Sequence, residues 1–215
     1  MIYQLTTLMR EVRIVMDKNM TSTALRGLGD VDTLSVDDII KSRIVDAAKR
    51  VELQAPLHYL ENGHNFGDNI YWEQGKARAG CGWTLLPTDF MRLMIFQMSD
   101  WKRPVFQAIS PTDEEYALQW SQFSGIRGNT EFPVCAISVR PEGKALEFFS
   151  CKDNTAEIVK AVYLPEPAID SDEGIDICER CHDAIVYMIA SLSFYVLGEK
   201  EQGDAMAQLS QNLIQ

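Results

Sequence analysis

The chain has 215 residues, 46% of them hydrophobic and 24% charged, with a formal net charge of −11. That composition belongs to a soluble globular protein, long enough for one large domain or a compact domain carrying an inserted subdomain. Acidity on this scale argues against specific nucleic-acid binding.

The first residues lack a basic leader, and Glu11 and Arg13 interrupt the apolar ones, so no secretory signal is expected. Leu5, Leu8, Met9, Val12, Val15 and Met16 recur at i, i+3, i+4, i+7 and predict an amphipathic helix. Gly27, Gly29 and Asp30 mark a loop. A second helix is predicted from Ser35, with Asp37 and Asp38 at its positive end. Its apolar stripe is Ile40, Ile44, Ala47, Ala48 and Val51, and Pro56 follows it.

Beyond Gly63 the chain turns to β-branched, aromatic and methionine residues. Ile70–Glu73 and Phe90–Trp101 read as strands. In the second, Phe90, Arg92, Met94, Phe96 and Met98 alternate with Met91, Leu93, Ile95 and Gln97. Both faces are mostly apolar, as in a well-covered strand. Ser110, Pro111 and Asp113 start a helix that carries Tyr116, Ala117, Trp120 and Phe123 and stops at Gly125. A β-meander is then predicted, Val134–Arg140 and Ala145–Cys151 around the turn Pro141–Lys144, followed by Glu157–Leu164 after Asp153–Asn154. Pro165 and Pro167 end it. The last segment reads as helix from Ile175 to Leu197, a break at Gly198, and a final helix over Ala205–Ile214.

The expected fold is therefore α+β. Residues 1–62 and 168–215 supply about four helices packed as a bundle, and the middle, 63–167, is an inserted antiparallel β-rich part with one helix.

Charge is unevenly placed. The first 110 residues carry equal numbers of acidic and basic side chains, so the whole excess lies beyond them. Its densest part is Glu166, Asp170, Asp172, Glu173, Asp176, Glu179 and Asp183, opposed only by Arg180. Such a run reads first as solvated surface. The longest uncharged apolar run, Ala184–Leu197, is shorter than the roughly 20 residues of a membrane helix.

Within the acidic run, Cys178, Cys181 and His182 spell C-x-x-C-H, the spacing of covalent haem attachment, of dithiol redox centres and of half a zinc site. Haem attachment needs an export compartment, and zinc needs a second ligand pair. Cys81, Cys135 and Cys151 stand isolated, with no histidine at ligand spacing. The odd, scattered set of five suits reduced thiols better than a disulfide framework. Cys178, Cys181, Ile185, Met188, Ile189, Leu192, Tyr195 and Val196 also share one 3.6-residue stripe, so the pair reads as the continuation of a core helix.

Other candidates are weaker still. Cys81 between Gly80 and Gly82 reads as a loop thiol rather than a nucleophile. His58 and His64 near Glu61 are too loosely spaced for a metal. Asp113, Glu114 and Glu115 read as a charged first helical turn. No G-x-S-x-G, G-x-G-x-x-G or P-loop motif is present. No catalytic, cofactor-binding or metal-binding residue and no enzymatic activity are expected.

Three stretches carry a resemblance. The opening L-T-T-L-M-R-E-V-R-I-V-M-D and D-D-I-I-K-S-R-I-V-D-A-A-K-R-V, the central L-L-P-T-D-F-M-R-L-M-I-F, and the tail from V-K-A-V-Y-L-P-E-P through the closing helix pair are similar to the head–tail adaptor (connector, head-completion) proteins of tailed bacteriophages. The likeness spans nearly the whole chain and rests on order and spacing, with Gly63–Trp83 as an extra segment. It implies a non-enzymatic virion structural protein of a phage or prophage, assembled in the bacterial host cytoplasm. Its partners would be copies of itself in a ring, commonly of twelve, the portal protein and tail proteins. DNA would pass through the lumen without sequence-specific binding. A host-encoded soluble α+β small-molecule-binding or enzymatic domain is the alternative.

Overall fold

The computed structural model describes residues 1–17, 35–67, 69–73, 79–123, 125–172 and 174–215; the loop expected at Gly27–Asp30 lies outside them. The chain divides into two units, Met1–Asn62 with Glu166–Gln215, and Gly63–Pro165. In chain order the elements are β1 (Ile2–Gln4), α1 (Leu5–Val15), α2 (Val36–Gln54), β2 (His64–Asn65), β3 (Tyr71–Trp72), β4 (Gly82–Leu85) and β5 (Phe90–Met98). There follow α3 (Glu114–Leu118), β6 (Cys135–Arg140), β7 (Gly143–Phe148), β8 (Ile158–Pro165), β9 (Gly174–Asp176), α4 (His182–Leu197) and α5 (Lys200–Leu213).

In the first unit, α2 starts where local chemistry demands it. Ser35 Oγ accepts from the Asp38 amide at 3.2 Å, and Asp38 Oδ2 accepts from the Ser35 amide at 2.9 Å. This reciprocal capping box satisfies two amides that the first turn leaves open. We expect Ser35→Ala to lower stability by about 1 kcal/mol in a denaturant titration. The helix buries Ile40, Ile44, Ala47, Ala48 and Val51.

The two ends of the chain do not form the expected four-helix bundle. Instead α4 is central, with α1, α2 and α5 each packed against it, and α1 and α5 share no substantial contact. The cause lies in α4 itself. Ala184, Ile185, Val186, Met188, Ile189, Ala190, Leu192 and Phe194 are all buried, so this helix is apolar around its circumference and must be covered from every side. Its buried hydroxyls are satisfied internally, Ser191 Oγ donating to the Gly203 carbonyl at 2.7 Å and Ser193 Oγ to that of Ile189 at 2.8 Å. Gly198, at φ +82°, ends α4 in the left-handed conformation that favours glycine.

A second correction concerns Ile175 and Asp176, expected as helix. They lie in β9, which pairs antiparallel with β1 through Ile2↔Asp176, Tyr3↔Ile175 and Gln4↔Gly174. Helix α4 therefore starts only at His182, after a 3-10 turn over Glu179–Cys181.

Among its described residues, the second unit holds two antiparallel sheets, ordered β2-β8-β5 and β3-β4-β7-β6. Only β6 and β7 keep the predicted meander, joined by a two-residue turn that closes at Gly143, φ +137°. Strand β8 leaves them and pairs with β5 instead. The strict alternation expected in β5 also fails. Phe90, Leu93, Phe96 and Met98 are the buried residues, a spacing near three, because register shifts interrupt the ladder after Phe90, Leu93 and Gln97. Each bulge turns the next side chain back toward the core. The core joins both sheets, with Phe96 stacked at 5.9 Å on Phe148 of β7 and at 6.1 Å on Phe66.

Helix α3 is shorter than predicted, ending at Leu118. Gln119 stops it by accepting the Gly128 amide at 2.9 Å, while Trp120 folds onto Phe149 at 5.2 Å and Phe123 stands 72% exposed.

Candidate functional site

The β-rich unit centres its polar chemistry on Glu147, a β7 carboxylate only 4% exposed. Tyr116 Oη donates to its Oε2 at 2.8 Å. Its Oε1 accepts from Ser138 Oγ at 2.8 Å and from Arg140 Nε and Nη2 at 3.0 and 2.8 Å. The same Nη2 reaches Glu73 at 2.6 Å, and the guanidinium lies 4.8 Å over the Trp83 ring. Burial, then the Glu147 hydrogen bond, pushes the Tyr116 hydroxyl up to about 12. Both carboxylate oxygens are thus met by donors. A network this complete ties α3 to the sheet, which is a structural task.

The helical unit holds a less satisfied cluster where β9 gives way to α4. Cys178 and Cys181 are 1% and 0% exposed and one 3-10 turn apart, the Cys181 amide donating to the Cys178 carbonyl at 3.0 Å. The Cys178 sulfur also accepts from the Glu61 amide at 3.3 Å and donates to Asn62 Oδ1 at 2.7 Å. Beneath the pair lies Glu52 of α2, fully buried, whose Oε1 accepts from the Cys178 amide at 2.9 Å. Its Oε2 is shut off from solvent without a hydrogen-bond partner. Arg180 closes the rim, Nη1 donating to the His58 carbonyl at 3.1 Å and Nε lying 3.2 Å from Glu61.

Three electrostatic consequences follow. Burial pushes the Glu52 carboxyl up to about 8, so near neutrality it holds its proton. The hydrogen bond from Cys181, with the Glu61 and Asn62 amides facing the sulfur, favours the Cys178 thiolate and lowers that thiol to about 6. The Cys181 thiol is pushed up, first by its hydrogen bond to Cys178 and then by burial.

The remaining sequence candidates do not converge. His58 sits in a 3-10 turn of the helical unit, edge-on to Tyr59, whereas His64 lies on β2 of the other unit against Tyr163. His182 stacks on Tyr3 at 4.6 Å and faces Glu11 at 3.0 Å, away from the cysteine pair's polar partners. Cys81 is buried in a small cluster with Ala136 and Phe149. Asp113 caps locally, accepting from the Ser110 amide at 2.7 Å. None of the five cysteines is in a disulfide. Among the described residues, no three His, Cys, Asp or Glu side chains are grouped to hold a metal ion, and no helix is long and apolar enough to cross a membrane.

Glu52 and Asn62 are the site residues that sequence reasoning missed. Glu52 had a signal, since it stands four residues after Ala48 and eight after Ile44, an acid on the apolar stripe of its own helix. Asn62 had none. No protein-family model matches the chain, and no curated protein matches it.

Proposed function

We propose that the chain is a non-enzymatic virion structural protein, a ring-forming adaptor between the portal and tail of a tailed phage or prophage. The observation that carries this reading is the run of outward-facing large apolar side chains in the β-rich unit. Phe106, Leu118, Phe123, Ile126 and Phe132 are 51%, 45%, 72%, 53% and 57% exposed within one short span of sequence. Aromatic side chains left in water are characteristic of surfaces that another subunit covers. Neighbours in a closed ring meet through two different surfaces of the same chain, so each subunit must offer one such patch and its complement. Strand β5 adds little to such a surface, because the residues outside its core set are half-buried.

The acidic run supports the conduit role. Glu166, Asp170, Asp172, Glu179 and Asp183 are exposed, and of these Glu166 is neutralised by Lys49 at 2.6 Å; Glu173 lies outside the described residues. Carboxylates facing a lumen would keep DNA from adhering to the wall. The small-molecule alternative finds a cavity of about 250 Å³ lined by Asn65, Phe66, Tyr71 and Thr84 in the β-rich unit, and one of about 350 Å³ between α1 and α4, lined by Glu11, Ile14, His182 and Tyr187, which lies at the low end of the usual ligand range of roughly 300–1,000 Å³.

The test is assembly on the portal protein that this reading expects in the same genome. Mixed with assembled portal rings, the chain should bind as a ring resolvable by electron microscopy. The double variant Phe106→Asp, Phe123→Asp should keep its circular dichroism and lose that binding. A chain that stays monomeric beside intact portal rings overturns the proposal.

A further inference from the structure

We propose that Cys178 and Cys181 form a peroxide-responsive dithiol that closes to an intramolecular disulfide, with Cys178 as the attacking sulfur, Cys181 as the resolving one and Glu52 as the proton-carrying group between them. The proposal goes beyond the adaptor reading and does not depend on it.

Three features of the site point the same way. The two cysteines are one 3-10 turn apart, the Cys181 amide donating to the Cys178 carbonyl at 3.0 Å, so closure needs little backbone movement. The Cys178 sulfur accepts from the Glu61 amide at 3.3 Å, a donor of the kind that favours a thiolate. Glu52 is a buried carboxyl with one oxygen anchored on the Cys178 amide and the other without a partner. A purely structural acid in that position would have both oxygens satisfied.

The chemistry balances with hydrogen peroxide as oxidant. The Cys178 thiolate attacks one peroxide oxygen, the O–O bond breaks, and the departing hydroxide takes the Glu52 proton and leaves as water. Cys178 is then a sulfenic acid. Cys181 Sγ attacks Cys178 Sγ, the S–O bond breaks, and the hydroxide leaves as a second water with the Cys181 proton. Glu52 regains from solvent the proton that Cys178 first released. Two thiols lose two electrons, and one peroxide becomes two waters. Because both cysteines are buried, with the Cys178 sulfur held by residues 61 and 62, a small oxidant reaches them on local opening, whereas a folded protein disulfide does not.

Trypsin cuts after Arg180, between the two cysteines, so the disulfide has a direct signature. The native chain is treated with hydrogen peroxide, its remaining thiols are alkylated, and it is digested without reduction. The expected product is peptide 161–180 joined to peptide 181–200, while Cys81, Cys135 and Cys151 are alkylated; dithiothreitol should separate the joined peptides. In Cys181→Ser, dimedone should label Cys178 instead. Glu52→Gln should slow closure at pH 7 by about tenfold or more and remove the pH dependence of its rate near pH 8. The proposal is overturned if both cysteines remain alkylatable in peroxide, or if the joined peptides form only in denaturant. An unchanged rate and pH profile in Glu52→Gln would remove Glu52 from the reaction.

Discussion

Phe96→Ala should lower the stability of the β-rich unit by about 3–5 kcal/mol, the range for emptying a fully buried aromatic site. Phe96 is 0% exposed and touches aromatic rings on several sides, Phe66, Phe148 and Trp101 among them, the last at 5.7 Å. Its backbone also exchanges two 2.8 Å hydrogen bonds with Val105, so the segment after β5 is fastened at the same point. The surrounding rings belong to separate segments, Phe66 just after β2, Trp101 just after β5 and Phe148 at the end of β7, and cannot close over the gap together. Phe123→Ala is the control, since a 72% exposed ring should change stability by less than about 0.5 kcal/mol. Urea unfolding followed by tryptophan fluorescence measures both. A Phe96 loss below about 1 kcal/mol would mean that the two sheets do not share one core.

The second large effect is a pH dependence that originates in Glu52. Its carboxyl is raised from 4.5 to about 8 in the folded chain, by burial first and with smaller contributions from Cys178 and Asp176. Between those two pH values the folded state holds a proton that the unfolded state has released. Stability therefore falls as pH rises through that window, by up to about 1.4 kcal/mol per pH unit, and levels off above the folded value. Glu52→Gln cannot titrate. The difference in unfolding free energy, wild type minus variant, should thus drop by roughly 3 kcal/mol from pH 5 to pH 7.5. A difference that stays level across the window would show that Glu52 is ionised when folded.

Elements decided by neighbours in sequence were legible in advance. Ser35 and Asp38 announce α2 because both partners of the capping box lie within one turn, and the stripe from Ile40 to Val51 announces its buried face. What escaped was settled by partners far away. Ile175 looks helical until β1 pairs with it across more than 170 residues. The burial spacing of β5 depends on bulges against β8, and a bulge leaves no mark in composition. The four-helix bundle failed for a related reason. Periodicity finds the best stripe on a helix even when, as in α4, every face is buried, so it cannot tell a member of a bundle from the axis that others surround. At the cysteine pair, the sequence displays both sulfurs and an acid on the apolar stripe of α2, but not that the fold brings Glu52 onto the Cys178 amide.

The pairing of β2 with β8 has a consequence for how such a chain can be taken apart. His64 lies opposite Tyr163, so the first and last strands of the β-rich unit run side by side, and the chain leaves the helical unit close to where it returns. Directly opposed residues in an antiparallel ladder are about 5 Å apart, a gap that two or three small residues span. The β-rich unit is therefore a cassette with adjacent ends. Residues 63–165 can be exchanged for a short glycine–serine bridge, or for another domain whose termini are equally close, without stretching the helices that the two ends of the chain build together.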